Sequence, residues 1–241
     1  MGKPINILSG FTLLVISLIH LSFTTAGNKT SGINTQTLDI ETVSWLAKVA
    51  AVGGSVSDSV IVAIDDYVKE VKGLKYQSTS IRSMLLRENW FCGDYNASLV
   101  PIFVNGNGGV TPIGLAVDLN NNYPTNYTDT GAFSGKKGDG VSSYIKTGFI
   151  PSQTPEIGSA DGHLMIYNMS DTVDAGGMGC KYGADGFYFF PRLSNGNTKF
   201  HITSSAESNV YLPSAKDYIL VQRRNTSALD LYYRDNLITS V

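Results

Sequence analysis

The spacing of apolar residues changes character part-way along the chain, and that change divides it. Between residues 35 and 73 the apolar positions keep a helical period. Leu38, Val43, Trp45, Leu46, Val49 and Ala50 form a short face that ends at Gly53-Gly54. Ser55-Val-Ser-Asp58 fits a capping box, a hydroxyl followed three residues later by a carboxylate. Ile61, Ile64, Val68 and Val71 then recur at intervals of 3, 4 and 3, one stripe of a second helix. Gly73 stands where a C-terminal cap belongs. The pattern predicts a helical hairpin. Residues 78–104 are less regular: Ile81–Trp90 reads as a short helix running into extended chain, and Ala97–Val104 as another that Pro101 breaks.

From Asn105 the texture is that of strands and turns. Gly and Asn clusters (105–109, 120–122, 195–197) separate short apolar or alternating runs. The expected strands are Leu115–Leu119, Ala132–Ser134, Tyr144–Lys146, His163–Asn168, Gly186–Arg192, Lys199–Ser204, Tyr218–Arg223 and Ala228–Arg234. No helices of crossover length lie between them, which argues for an antiparallel β-sandwich preceded by a small helical region. No repeat of fixed period aligns.

The first 26 residues read as a signal peptide. Lys3 is followed by the apolar run Ile5–Phe23, and Thr24-Thr25-Ala26 places small residues before Gly27. A retained anchor is the alternative, since the run approaches the roughly 20 residues that span a bilayer. Ser9, Gly10, Thr12, Ser17 and His20 dilute it, and no basic cluster follows. The expected layout is a signal peptide over 1–26, a linker over 27–37, a helical region over 38–104 and a sandwich over 105–241. The expected destination is secreted or cell-surface, with no membrane span after cleavage.

That compartment changes how other residues read. Five sequons, at Asn28, Asn96, Asn126, Asn168 and Asn225, become candidate glycosylation sites. Cys92 and Cys180 are the only cysteines. They could close a disulfide contributing about 2–4 kcal/mol, or remain two buried thiols. They cannot by themselves complete a four-ligand zinc site. The 241 residues carry 18 Lys+Arg against 20 Asp+Glu, a net charge of −2 that offers no basic footprint for nucleic acid. With 42% hydrophobic residues, 25 Gly and 13 Tyr, the composition suits a loop-rich β protein with a core.

Some of the strand segments resemble a known family. Gly138-Asp-Gly-Val-Ser-Ser-Tyr-Ile-Lys-Thr-Gly148, followed by Phe-Ile-Pro, is similar to the first strand of laminin-G-like, concanavalin-A-like jelly rolls. His163-Leu-Met-Ile-Tyr167 resembles the long strand that comes next in that fold. Tyr218-Ile-Leu-Val-Gln-Arg-Arg and Leu229-Asp-Leu-Tyr-Tyr-Arg-Asp-Asn-Leu-Ile238 resemble its hairpin. Bacterial and phage members often carry a small helical segment before the sandwich, like residues 38–104. The resemblance covers about residues 110–241 and implies a jelly roll with a recognition role toward glycan or a protein surface. Two departures stand out. The hairpin turn is Asp235-Asn236, without the glycine that takes a positive φ most easily. The family pattern also carries further strands beyond this hairpin, so the resemblance implies an incomplete sandwich whose open edge could accept a partner strand or a second copy.

Catalytic constellations are not visible. His163 and His201 form no ligand-like pair and read as surface or satisfied strand positions. A sandwich-type glycoside hydrolase would need two carboxylates about 5–5.5 Å apart on one face. Glu156 and Asp161 fall on opposite faces of any strand, and Asp65 and Asp66 diverge by about 100° on a helix. The expectation is therefore no enzyme. Asp171, Asp174 and Asp185 flank the loop Ala175-Gly-Gly-Met-Gly179 and are candidate ligands for calcium, also found at the rim of many laminin-G-like domains. The run Gly186-Phe-Tyr-Phe-Phe-Pro191 alternates, so that Tyr188 faces away from Phe187 and Phe189. Tyr188 on a sugar-stacking face, with Tyr211, Tyr232 or Tyr233 beside it, is the sharper reading, and core on both faces the plainer one. Tyr123 and Tyr127 in the Asn-rich loop are further candidates for ligand contact.

Overall fold

The computed structural model describes residues 37–76, 78–104, 114–121, 144–150, 162–168, 178–182, 185–202, 208–214, 216–225, 228–234 and 236–240. The signal segment and the expected strand Ala132–Ser134 lie outside them. The described residues through Phe149 form one compact unit, and those from Ile150 onward another. Among them, no helix is long and apolar enough to cross a membrane.

The first unit is built on α1 (Ile40–Ala51) and α2 (Asp58–Gly73). Asp39 caps α1 by accepting the Glu41 N–H at 2.9 Å, and both its oxygens accept from the Lys72 ammonium on α2 at 2.9 Å. Partial burial pushes this carboxyl up, but those partners outweigh it and hold Asp39 below its ordinary value. On α2 the buried residues include Val60, Ala63, Ile64, Tyr67, Val68 and Val71. The stripe is thus rotated from the expected one, and Ile61 is only half-buried.

The expected capping box does not form. Ser57 is the N-cap and makes no side-chain cap bond. Ser55 instead gives its N–H and its hydroxyl to the Asp94 carboxylate, both at 2.8 Å, so a long-range partner replaces the local one. Gly73 is the last helical residue, and Leu74 leaves the helix in extended conformation.

A two-residue hairpin, β1 (Lys75–Tyr76) with β2 (Thr79–Ser80), leads into the single turn α3 (Ile81–Met84). Beyond it the chain is extended and bridges Glu88 to Phe103. Ala97–Leu99 is a 3-10 turn rather than the start of a longer helix. These pieces close over a core of Trp45, Val49, Ile64, Val68, Ile81, Val100 and Phe103. The Trp45 indole donates to Val100 O at 3.1 Å and ties α1 to the far end of the unit. Gly93 has φ +82°, and a Cβ there would stand 2.5 Å from Val56 Cγ1 and 2.8 Å from Ser55 O, so only glycine fits. A short pair, β3 (Leu119–Asn121) with β4 (Tyr144–Lys146), belongs to this unit too.

The described residues of the second unit form two four-stranded antiparallel sheets. One has the order β12 (Asn236–Ser240), β11 (Ala228–Tyr233), β10 (Asp217–Asn225), β5 (Gly162–Asn168). The other runs in sequence order: β6 (Met178–Tyr182), β7 (Asp185–Phe190), β8 (Asn197–Ile202), β9 (Ser208–Tyr211). Strand β8 lies against β10. Ile219, Val221, Leu229 and Leu231 are buried in the first sheet, and Phe189, Phe200 and Ile202 in the second. The protein is therefore mainly β, with antiparallel sheets and amino-terminal helices, an architecture consistent with a β-sandwich.

The segments that carry the family resemblance at 163–167, 218–224 and 229–238 are neighbours in one sheet, with Ile219 opposite both Ile166 and Tyr233. The glycine-free turn before β12 is made by Arg234 at φ +47°. Its guanidinium meets Asp217 at 2.9 Å, and its carbonyl accepts from Asn236 Nδ2 at 2.8 Å.

The candidate binding face

Pairing fixes which side chains share a face, because cross-strand partners project to the same side and alternate residues to opposite sides. In the β6–β9 sheet, Tyr188 pairs with His201, Phe190 with Lys199, Lys199 with Asn209, and Asn197 with Tyr211. One face therefore carries Tyr188, Phe190, Asn197, Lys199, His201, Asn209 and Tyr211. The other carries Phe189, Thr198, Phe200 and Ile202, all fully buried. The Thr198 hydroxyl donates to Pro191 O at 2.7 Å and fastens the start of β8 to the end of β7.

The polar and aromatic face is graded. Tyr188 and His201 are each 4% exposed, Asn197 and Lys199 are half-buried, Phe190 is 38% exposed and Tyr211 is 62% exposed. Tyr188 meets Phe190 edge-on at a centroid distance of 5.7 Å and His201 at 5.5 Å. Nε2 of His201 has no hydrogen-bond partner among the described residues.

The turn before β8 supports Tyr211. Leu193 N–H donates to Asn197 O at 2.8 Å, Gly196 N–H to Leu193 O at 2.8 Å, and Leu212 N–H to Gly196 O at 3.0 Å. Gly196 takes φ +81°, and a Cβ on it would sit 2.9 Å from Tyr211 Cε2 and 3.2 Å from Cδ2. The ring thus rests against the glycine backbone while more than half of the residue meets solvent. An exposed aromatic backed in this way is a fixed apolar plate with a polar tip.

The structure separates the other sequence-predicted ligand tyrosines. Tyr188 shares the face of Tyr211 but is enclosed by its neighbours, so it supports the face without presenting a ring to solvent. Tyr232 lies in the other sheet, buried, where its hydroxyl meets Gln222 Nε2 at 3.2 Å and Gln222 also reaches Asp230 at 3.3 Å. Tyr233 is buried as well, its hydroxyl donating to Lys216 O at 2.9 Å. Tyr123 and Tyr127 lie outside the described residues.

Of the calcium candidates, Asp171 and Asp174 lie outside the described residues. Asp185 opens β7 opposite Tyr182, and its side chain is not described. The glycine-rich loop expected to run to Gly179 gives way to strand at Met178, because β6 pairs with β7 there. Among the described residues, no group of three or more His, Cys, Asp or Glu could hold a metal ion.

Cys92 is buried in the first unit's core, while Cys180 lies on β6 with its side chain outside the described part. Of the sequons, Asn28 and Asn126 lie outside the described residues. Asn168 and Asn225 end β5 and β10, and their side chains are not described. Asn96 is described, and its Nδ2 donates to Gly53 O at 3.3 Å.

His201, expected at the surface or satisfied within a strand, is buried, with one nitrogen unpartnered among the described residues. The strand's own alternation carried the signal for this face: Asn197, Lys199 and His201 are polar at every second position, between Thr198, Phe200 and Ile202.

The first unit holds a second polar cluster. Glu88 accepts from the Tyr67 hydroxyl and the Trp90 indole, both at 2.7 Å. Burial pushes the Glu88 carboxyl up, and those donors and the Arg82 charge offset it only in part. Arg82 itself pairs with Glu41 at 2.8 Å and lies 4.0 Å above the Phe103 ring. Asp118 accepts from Arg87 and, at 2.9 Å, from Asn89 Nδ2, and burial pushes its carboxyl up as well. These groups join α1 and α2 to residues 85–104 and 114–118, and Arg82, Arg87 and Asn89 also donate to the carbonyls of Leu85, Leu115 and Ser98.

Comparison with known protein families, with curated proteins and with solved structures finds nothing that matches this chain.

Proposed function

We propose that the protein is an exported, non-catalytic recognition protein. In this reading its second unit is a laminin-G-like jelly roll that binds saccharide on the exposed face of the β6–β9 sheet. The observation that carries the proposal is the Tyr211 ring, 62% exposed and backed by Gly196. Sugars present an apolar face edged by hydroxyls, and a fixed aromatic plate beside amide side chains matches both features. Asn197 pairs directly with Tyr211, and Asn209 lies two residues from it on β9. The jelly-roll assignment is supported by the adjacency of three of the four family-like segments in one antiparallel sheet, whereas Tyr144–Lys146, from the fourth, pairs with β3 in the first unit. The test is a glycan array probed with the full chain and with Tyr211→Ala. The reading expects retention of at least one saccharide class by the former and loss by the latter. Binding unaffected by the substitution would place the site elsewhere.

A second reading has a specific observation in its favour. Among the described strands β12 pairs with β11 alone; it exposes Leu237 and Ile238 and contains no charged residue to discourage edge pairing. Two copies could join their sheets through it. Light scattering over a range of concentrations tests this: a monomer throughout contradicts it, whereas a dimer abolished by Ile238→Lys supports it.

A further inference from the structure

We infer that the saccharide held on this face is an acidic one, its carboxylate received by Lys199 next to the buried, unpartnered Nε2 of His201. The inference rests on the saccharide reading of the face and adds the ligand's charge. Lys199 occupies the middle row, between Phe190 on β7 and Asn209 on β9. His201 follows two residues along the same strand and on the same side, roughly 6.6–6.8 Å away along the backbone. An ammonium has three donors, so another contact still leaves capacity for a ligand oxygen.

None of the face's described side chains is acidic. A carboxylate arriving over Tyr211 therefore meets a cation, two amides and an imidazole without like-charge repulsion. His201 supplies an independent sign. A buried polar nitrogen with no partner carries a desolvation cost that native structures rarely leave uncompensated. A ligand oxygen or hydroxyl at the closed end of the face would supply the missing bond. The gradient from exposed Tyr211 to enclosed His201 also places the charge contact where water screens it less than at the surface.

The test compares trigalacturonic acid with its methyl ester, which keeps the same sugar rings and removes the charge, using isothermal titration on the full chain. The acid is expected to bind roughly tenfold more tightly, the scale of one charge-assisted hydrogen bond. Lys199→Met should erase that difference and Lys199→Arg should retain it. His201→Phe, which keeps the edge contact with Tyr188, should weaken acid binding. Far-ultraviolet circular dichroism of each variant reports whether it is folded. Equal affinity for acid and ester, still lost with Tyr211→Ala, overturns the acidic inference and leaves the saccharide reading standing. Failure of the acid, the ester and every neutral galactan alike to bind overturns both.

Discussion

The Tyr211 ring lies on Gly196: a Cβ at that glycine would come within 2.9 Å of Tyr211 Cε2. The two residues act together because Gly196 does two things no other residue does there. It adopts φ +81° without strain, and it leaves the space into which the ring settles. The exposed aromatic is thereby held in place without being buried, which lowers the entropy cost of ordering it on binding.

Gly196→Ala is expected to displace the ring and to destabilise the second unit. Its left-handed backbone costs an L-residue about 1–2 kcal/mol, and the clash adds to that. The check is the Tyr211 ring resonances together with the midpoint of urea unfolding. An unshifted ring and an unchanged midpoint would show that Gly196 does not support it.

Tyr232→Phe is expected to cost about 1 kcal/mol by removing the Gln222 bond, with no effect on saccharide affinity. Tyr232 is buried in the other sheet, so its role is structural. A large loss of binding in a folded variant would contradict that assignment.

The first unit should be less stable at neutral pH than Glu88 and Asp118 would allow in mild acid. Both carboxyls are raised in the folded state, so their contribution is fully present below their ordinary values, 4.5 and 3.8, and is lost as pH rises through the folded values. Asp39 has the opposite sign: lowered in the fold, it contributes above 3.8 and loses that contribution as pH falls. The chain's two tryptophans, Trp45 and Trp90, both lie in the first unit, so urea unfolding followed by their fluorescence reports on it alone. From pH 4.5 upward the midpoint should fall, and Glu88→Gln should flatten the fall. A wild-type midpoint that rises over this range would refute the assignment.

Gly93→Ala should destabilise the same unit by at least the about 1–2 kcal/mol of its left-handed backbone, since Val56 and Ser55 occupy the place of a Cβ. Tryptophan fluorescence should show the early transition. A midpoint equal to wild type would mean that the 53–56 and 93–97 segments are not packed as described.

Much of the architecture was legible in the sequence because local signals and burial agree. The period-three-and-four stripe of α2, the apolar run of β10 and the alternation of β11 place these elements within a few residues of where they stand. The helix cap was misread because Ser55 and Asp58 fit a local rule, while Asp94, 39 residues away, takes the Ser55 donors. Strands β6 and β9 escaped notice because Met178–Tyr182 starts in a glycine-rich stretch and Ser208–Tyr211 spans only four residues. Pairing with β7 and β8 makes them strands, and pairing is a long-range property. The candidate face was half-legible. Tyr211 and Tyr188 could be singled out as aromatics, but their exposure of 62% and 4% follows from what covers the sheet, which spacing along one strand does not encode.

The most direct test of the account is a saccharide titration of the full chain observed at the Tyr211 ring by NMR. The account predicts that ring to shift with saturation while Tyr232 stays fixed. It also predicts that Tyr211→Ala abolishes binding and Tyr211→Phe preserves most of it. Saturable saccharide binding that leaves the Tyr211 ring unmoved, or that persists undiminished in Tyr211→Ala, would contradict it.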